Sequence, residues 1–309
     1  MSEDPHSGHS HSVTSETDAR RLGIALGLIL AFMAAEVVAG ILAHSLALLS
    51  DAAHMLTDAG ALGLSLVVIR LAARPSKGDL TFGLKRTKIL SAQANGATLL
   101  VLAGLIVYEG IRRLVAPPQP QGTVILIVAL VGILVNLGTT WQLSKANRQS
   151  MNVEGSFQHI LTDLLAFIFT AIAAVVILTT GFIRADAIAS LIVAAIMFRA
   201  AYGLLRDSGR VLLEAAPEGM SVTEIGDALA RHPHVSDVHD LHVWTITSGF
   251  PSLSAHVLVH TGDDCHAIRR ELEQMLEERF DIEHTTLQVD HESPRVLRIG
   301  AAVSKHAGH

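Results

Sequence analysis

The chain predicts an α-helical membrane protein followed by a small α+β domain, and three observations carry that expectation. Half of its 309 residues are hydrophobic and only 17% are charged, and its mean hydropathy is positive. The apolar residues gather into six runs, about 22–43, 46–72, 89–111, 122–143, 155–181 and 185–205, each reaching the roughly 20 residues that cross a bilayer. Near residue 208 the runs stop, and shorter amphipathic segments replace them. The expected division is a tail over 1–19, six transmembrane helices over 20–207, an α+β domain over 208–295 and a flexible tail over 296–309.

Residues 1–19 are rich in Ser, His and acids without an apolar period, which predicts a disordered tail. Its His6, His9 and His11 suit either weak metal binding or plain solvation. The first apolar run is too long, and too closely followed by others, to be a cleaved signal. Basic residues set the orientation. Arg20 and Arg21 precede the first span, and Arg70, Arg74, Lys77, Lys85, Arg86 and Lys88 lie between the second and third. Lys145 and Arg148 separate the fourth from the fifth, and Arg206 and Arg210 follow the sixth. The other side carries only Arg112, Arg113 and Arg184, with a short turn at Ala43-His44-Ser45. The excess places both termini of a multi-pass membrane protein in the cytoplasm. The segment Ala116-Pro117-Pro118-Gln119-Pro120 is then an exterior loop. Behind the spans, 222–231 and 267–280 read as amphipathic helices, and 235–247, 252–259 and 285–289 as strands. Their α-β-β-α-β order suggests helices on one face of a small sheet.

A single cysteine, Cys265, rules out an intrachain disulfide and a cysteine-based zinc cluster. A net charge of -6 argues against nucleic acid as partner. The apolar runs make the lipid bilayer a partner, and no organic cofactor is expected.

Two spans carry nearly the same pentad, His54-Met55-Leu56-Thr57-Asp58 and His159-Ile160-Leu161-Thr162-Asp163. In each, an imidazole and a carboxylate stand four residues apart and so leave one helical face. A carboxylate at membrane depth needs a partner or a hydrated pathway. The second span runs from outside to inside and the fifth from inside to outside. Antiparallel packing can therefore bring His54, Asp58, His159 and Asp163 into one set of two nitrogen and two oxygen donors. Tetrahedral Zn²⁺ takes four such ligands, and Co²⁺ and Cd²⁺ suit the same mixture, whereas an all-oxygen set would have favoured Mg²⁺ or Mn²⁺. Two carboxylates also neutralise the ion in a low-dielectric place. The competing reading makes these residues structural, hydrogen-bonded between helices. Asp51, one turn before His54, suits an entry path or simple solvation. Glu36, Asn95 and Asn136 read by default as interhelical hydrogen-bonding groups, with a lining role also open to Asn136. Because a histidine must be neutral to bind metal, His54, His159 or both are expected to carry a coupling proton. The result would be Zn²⁺/H⁺ antiport by alternating access.

The six spans, the paired pentads, the phrase Ser45-Leu46-Ala47-Leu48-Leu49-Ser50-Asp51-Ala52-Ala53-His54-Met55-Leu56-Thr57-Asp58 and the later His239-Asp240-Leu241-His242-Val243-Trp244 together resemble the cation diffusion facilitators. They look most like the bacterial zinc/cadmium/cobalt-efflux branch, over roughly residues 20–292. The resemblance implies a homodimeric, proton-coupled exporter whose cytoplasmic domain has a metallochaperone-like, ferredoxin-like fold. It also implies Zn²⁺ as cargo, with Cd²⁺ or Co²⁺ tolerated. Only 144–153 joins the fourth and fifth spans, so the long His-rich loop of many eukaryotic relatives is missing.

The soluble part holds its own donors. His239 and His242 border one expected strand and His256 lies in the next, while His284, Asp290, His291 and Glu292 flank the last. The resemblance puts His239, His256 and Asp290 on cytoplasmic metal positions, with Glu292 or His284 completing the set and His266 reaching across a dimer. Bound Zn²⁺ there would be regulatory, against a bland reading of surface histidines. Trp244 reads as a core or interface anchor, and Glu271, Glu273, Glu277 and Glu278 as a solvated helix face. Among rival functions, an intramembrane metalloprotease needs His-Glu-x-x-His and an open metal position. The chain has no such pattern, so no enzyme is expected. A membrane-anchored metal sensor, or the same transporter carrying Mn²⁺ or Fe²⁺, are the remaining alternatives.

Overall fold

Among the described residues, six helices precede a three-stranded sheet flanked by two more helices. The computed structural model describes residues 10–42, 46–117 and 122–292, and for 10–16, 39–40, 42, 46–54 and 57 the backbone alone. The chain divides into two compact units, one of Met1–Ala215 with Thr245–Gly249 and one of Ala216–Trp244 with Phe250–His309.

The first unit is a helical bundle of α1 (Ser10–Leu42), α2 (Leu46–Ala72), α3 (Thr87–Val115), α4 (Gly122–Ser144), α5 (Met151–Thr180) and α6 (Ala185–Leu212). Among the described residues, five of these helices are long and apolar enough to cross a membrane: α1 over Thr17–Val38, and α3 to α6. α2, at 27 residues, is the remaining long helix. Side chains such as Leu105, Leu134, Ile127 and Ile172 are exposed, as expected where the outer face meets lipid rather than water. α5 is the central helix, packing against α2, α3, α4 and α6, while α1 lies along α2 and α3 along α6.

The helix ends have local causes. α3 stops at Val115, just before Pro117, because the residue preceding a proline is pushed out of the helical region. α5 ends at Thr180, where Gly181, with φ 72, closes the helix by donating its amide hydrogen to the Ile177 carbonyl. Two ends differ from expectation. Residues 10–19, expected in the disordered tail, are the first turns of α1. Extending an existing helix avoids the cost of a new nucleus, and buried Asp18 accepts a hydrogen bond from the Asn147 amide at 2.9 Å. α6 likewise continues past 207 to Leu212, with Ser208 and Val211 buried. The His44 turn, residues 118–121 of the proline loop, the first nine residues and the tail from 293 lie outside the described residues.

The second unit contains α7 (Val222–Ala230), β1 (Val235–Thr247) as far as Trp244, β2 (Phe250–Val259), α8 (Cys265–Phe280) and β3 (His284–His291), in the expected α-β-β-α-β order. β2 is central. It joins β1 through the two-residue turn Ser248-Gly249, where Gly249 has φ 73, the connection that antiparallel strands permit. β3 runs parallel to β2, with His256 opposite Gln288 and Leu258 opposite Asp290. Parallel neighbours need a crossover, which α8 supplies. Asp264 caps α8 by accepting from the His266 and Ala267 amides, and Ser221 caps α7 by accepting from the Glu224 amide. Leu253, Ala255, Val257 and Val259 alternate toward the core and meet Leu229, Leu272 and Leu276. Each fully buried leucine contributes about 1.5–3 kcal/mol. The opposite face of β2 and β3 is left to His256, Gln288 and Asp290.

Candidate metal centre

Buried polar side chains shared by α2 and α5 fix how the two helices meet. The His159 Nε2 lies 2.7 Å from Asp58 Oδ1. Two turns further along α2, the Ser65 carbonyl accepts from Asn152 Nδ2 at 3.0 Å, and the Ser65 and Ser156 hydroxyls are 2.7 Å apart. Numbers rise along α2 as they fall along α5, so the helices cross antiparallel. That crossing puts both pentads at one depth.

Asp58, His159 and Asp163 form one cluster. A ligand atom from each lies within 4.8 Å of the others, and His159 Nε2 is 3.9 Å from Asp163 Oδ2. His159 is 1% and Asp58 5% exposed, and Met55, Ala59, Leu62 and Ile160, close to them along α2 and α5, belong to the buried apolar core. In this apolar collar an anion is costly without a compensating charge. One imidazole nitrogen and two carboxylates supply that compensation to a divalent cation of the zinc class. His159 Nδ1 has no hydrogen-bond partner among the described residues. The backbone of α2 puts His54 one turn before Asp58, but the side chains of His54 and Asp51 lie outside the described residues.

Asn136, for which the sequence left a lining role open, instead donates back to the Gly132 carbonyl of its own helix at 3.1 Å. It is thereby satisfied within α4. Glu36 is buried beside an apolar cavity of about 320 Å³ lined by Phe32, Val124, Val128 and Val131. Ser65, Asn152 and Ser156 were not singled out by sequence reasoning. Their signal was spacing: Ser65 follows Asp58 by seven residues and Asn152 precedes His159 by seven, which keeps each on its motif's face.

In the second unit the structure gathers part of the expected donor set. The His239 and His256 rings meet edge to face at 5.4 Å, and Asp237, missed from sequence, holds His239 Nδ1 at 3.2 Å. Asp290 shares the His256 face but accepts from Gln288 at 2.8 Å. Glu292 stands 3.8 Å from His260. His284 does not belong with Asp290: it pairs with Ser252 at the start of β3 and packs on Phe250. Six residues of extended strand, roughly 20 Å, separate the two. His242 is held by Asp240 at 3.0 Å, His266 is exposed on the first turn of α8, and Trp244 is half-buried. Among the described residues, the cluster of Asp58, His159 and Asp163 is the one group of three or more candidate metal donors.

Two family models match the chain: one described as the cation efflux transmembrane domain, over residues 22–213, and one as the cation efflux protein cytoplasmic domain, over 217–292. The chain is 38% identical to the cation efflux system protein CzcD of Alcaligenes sp. (strain CT14), covering 92% of this chain and 90% of that one. It is 35% identical to a cadmium, cobalt and zinc/H(+)-K(+) antiporter of Bacillus subtilis (strain 168), covering 93% of each. It is 36% identical to the zinc transporter ZitB of Escherichia coli (strain K12), covering 97% of this chain and 99% of that one. Among solved structures, the metal-bound C-terminal domain of the CzcD transporter from Cuprividus metallidurans is 38% identical, over 23% of this chain and 97% of that chain, with a TM-score of 0.22.

Proposed function

Since the chain belongs to the cation efflux family, we propose that it is a transporter exporting Zn²⁺, and also Cd²⁺ and Co²⁺, from the cytoplasm in exchange for protons. The observation that carries the reading is the buried convergence of Asp58, His159 and Asp163 between α2 and α5. The names of the relatives, which print zinc, cadmium, cobalt and H(+), support the cargo and the counter-ion. His54 is the fourth donor in this reading. The antiparallel register that sets Asp58 against His159 sets position 54 against position 163, and α2 is the sixth span.

The proton follows from the ligand chemistry. A histidine that binds metal must be neutral, and one that has released it can hold a proton beside two carboxylates. Release toward the exterior is thereby linked to protonation of His159, His54 or both, and the return step carries the proton inward. Both termini and the α+β unit are cytoplasmic in this reading, the membrane is the inner one, and the working form is a homodimer. On the exposed face of the sheet, His239, His256 and Asp290 are the regulatory metal residues, with Glu292 nearby. The activity is transport, and the ion leaves the site chemically unchanged.

Zn²⁺ uptake into proteoliposomes under an imposed pH gradient tests the proposal. Wild-type protein is expected to accumulate Zn²⁺ only with the gradient, and Asp163→Ala to lose the uptake. Equal uptake by both proteins would refute the assignment of the cargo site.

A further inference from the structure

We propose that Ser65, Ser91, Asn95, Asn152 and Ser156 line a hydrated passage connecting the Asp58–His159–Asp163 cluster to the Lys/Arg-rich end of the bundle. The inference rests on the transport reading above and deepens it by naming the route and its chemistry.

All five residues are at most 2% exposed. Ser65 belongs to α2, Ser91 and Asn95 to α3, and Asn152 and Ser156 to α5, three helices that pack on one another. Four of the residues adjoin, and Ser91 stands one turn before Asn95 on α3. Asn152 and Ser156 bond Ser65 across the α2–α5 seam. Gly155, between them on α5, faces Asn95, whose Nδ2 is 3.4 Å from where a glycine Cβ would stand. Asn152 and Ser156 lie seven and three residues before His159, so the patch begins within a turn of the cluster. It then leads toward Arg148, Arg70 and Lys88, the end that the excess of basic residues assigns to the cytoplasm.

Interhelical hydrogen bonding alone does not account for the patch. Polar residues that join helices in lipid do so by satisfying one another. Here Ser91 Oγ, Asn95 Nδ2 and Asn152 Oδ1 are buried without a partner among the described residues, as is His159 Nδ1 next to them. Unsatisfied polar atoms concentrated in one seam mark a place where water or an ion supplies the missing bonds. The lining is also chemically apt. Hydroxyl and amide groups can replace part of an ion's hydration shell, yet the patch holds no carboxylate or imidazole to retain Zn²⁺. A conducting step needs binding weak enough to leave, so tight binding waits for the cluster beyond it.

Cysteine accessibility tests the passage. The chain has one cysteine, Cys265, so Cys265→Ser provides the background for Ser91→Cys and Ser156→Cys, one on each wall, and for Ala103→Cys, buried in the α3–α6 interface, as control. Each is reconstituted in sealed vesicles and treated with a charged, membrane-impermeant methanethiosulfonate from either side. The expected result is labelling of both passage cysteines from the Lys/Arg side, severalfold faster than the control. Labelling no faster than Ala103→Cys from either side would overturn the proposal. Circular dichroism and size-exclusion of each variant verify folding, and the two walls give independent readings. If Asp163→Ala transports like wild type while both cysteines label, the cargo site fails and the hydrated seam stands.

Discussion

Replacing Asp58 by Asn tests the cluster with the least change in shape. The substitution keeps the volume and removes one negative charge 2.7 Å from His159 Nε2, at a position only 5% exposed. A divalent ion held by Asp58, Asp163 and neutral imidazoles is electrically balanced, and in the Asp58→Asn protein it keeps one uncompensated positive charge. Truncating one partner of a buried, hydrogen-bonded charge pair costs about 2–5 kcal/mol. At 1.4 kcal/mol per tenfold, Zn²⁺ affinity should fall by roughly 30-fold or more. The assay is isothermal titration of metal-stripped, detergent-solubilised protein, with the His239 and His256 sites removed so that one class of site is read. Proteoliposome uptake on the same preparation links affinity to transport. An Asp58→Asn protein that binds Zn²⁺ within about threefold of wild type, well short of that window, would refute the charge-balance argument.

Three further outcomes are expected. His239→Ala combined with His256→Ala should lower the number of Zn²⁺ bound per chain in titrations while gradient-driven uptake persists, since the pair is remote in sequence from the α2–α5 cluster; loss of all binding would contradict this separation. Gly132→Ala builds a Cβ 2.5 Å from the Phe167 ring, and displacing that ring from the α4–α5 interface should destabilise the bundle by about 1–3 kcal/mol, measured as a lower unfolding midpoint in detergent. Asp264 is held below the usual carboxylate range, chiefly by the Ala267 amide and also by the His266 amide. Because its folded value is depressed, capping stabilises above the unfolded value and is lost as pH falls through the folded one. The melting difference between wild type and Asp264→Ala should thus be full near neutral pH and shrink below the ordinary value of 3.8.

Much of this architecture was legible in the sequence because hydropathy and alternation report burial directly. The apolar runs found the helices, and the β-branched alternation found all three strands. Helix ends were harder, because hydropathy marks where a helix leaves lipid, not where it stops. α6 continues through Arg206, Asp207 and Arg210 until the Leu213 amide closes on the Gly209 carbonyl. At the cluster, HxxxD spacing fixed the helical face, and the antiparallel crossing brought Asp58 to His159 and Asp163. The Ser65 and Asn152 seam stayed hidden, since isolated Ser and Asn residues in a span acquire meaning only when the register of two helices is known. His284 is close to Asp290 in sequence, but the extended β3 puts them at opposite ends of the strand.

The crossing of α2 and α5 also constrains how the gene can change. From the Asp58–His159 contact to the Ser65–Asn152 contact, seven residues elapse on each helix, in opposite directions. A single codon inserted between positions 58 and 65, or between 152 and 159, turns everything beyond it by about 100° and moves one of the two contacts off the seam. Loops between the helices can lengthen or shorten freely, because they do not enter that count. Insertions and deletions should therefore accumulate around 73–86 and 116–121 and be absent from these two intervals. A library of one-residue insertions scored for zinc resistance would read that pattern directly.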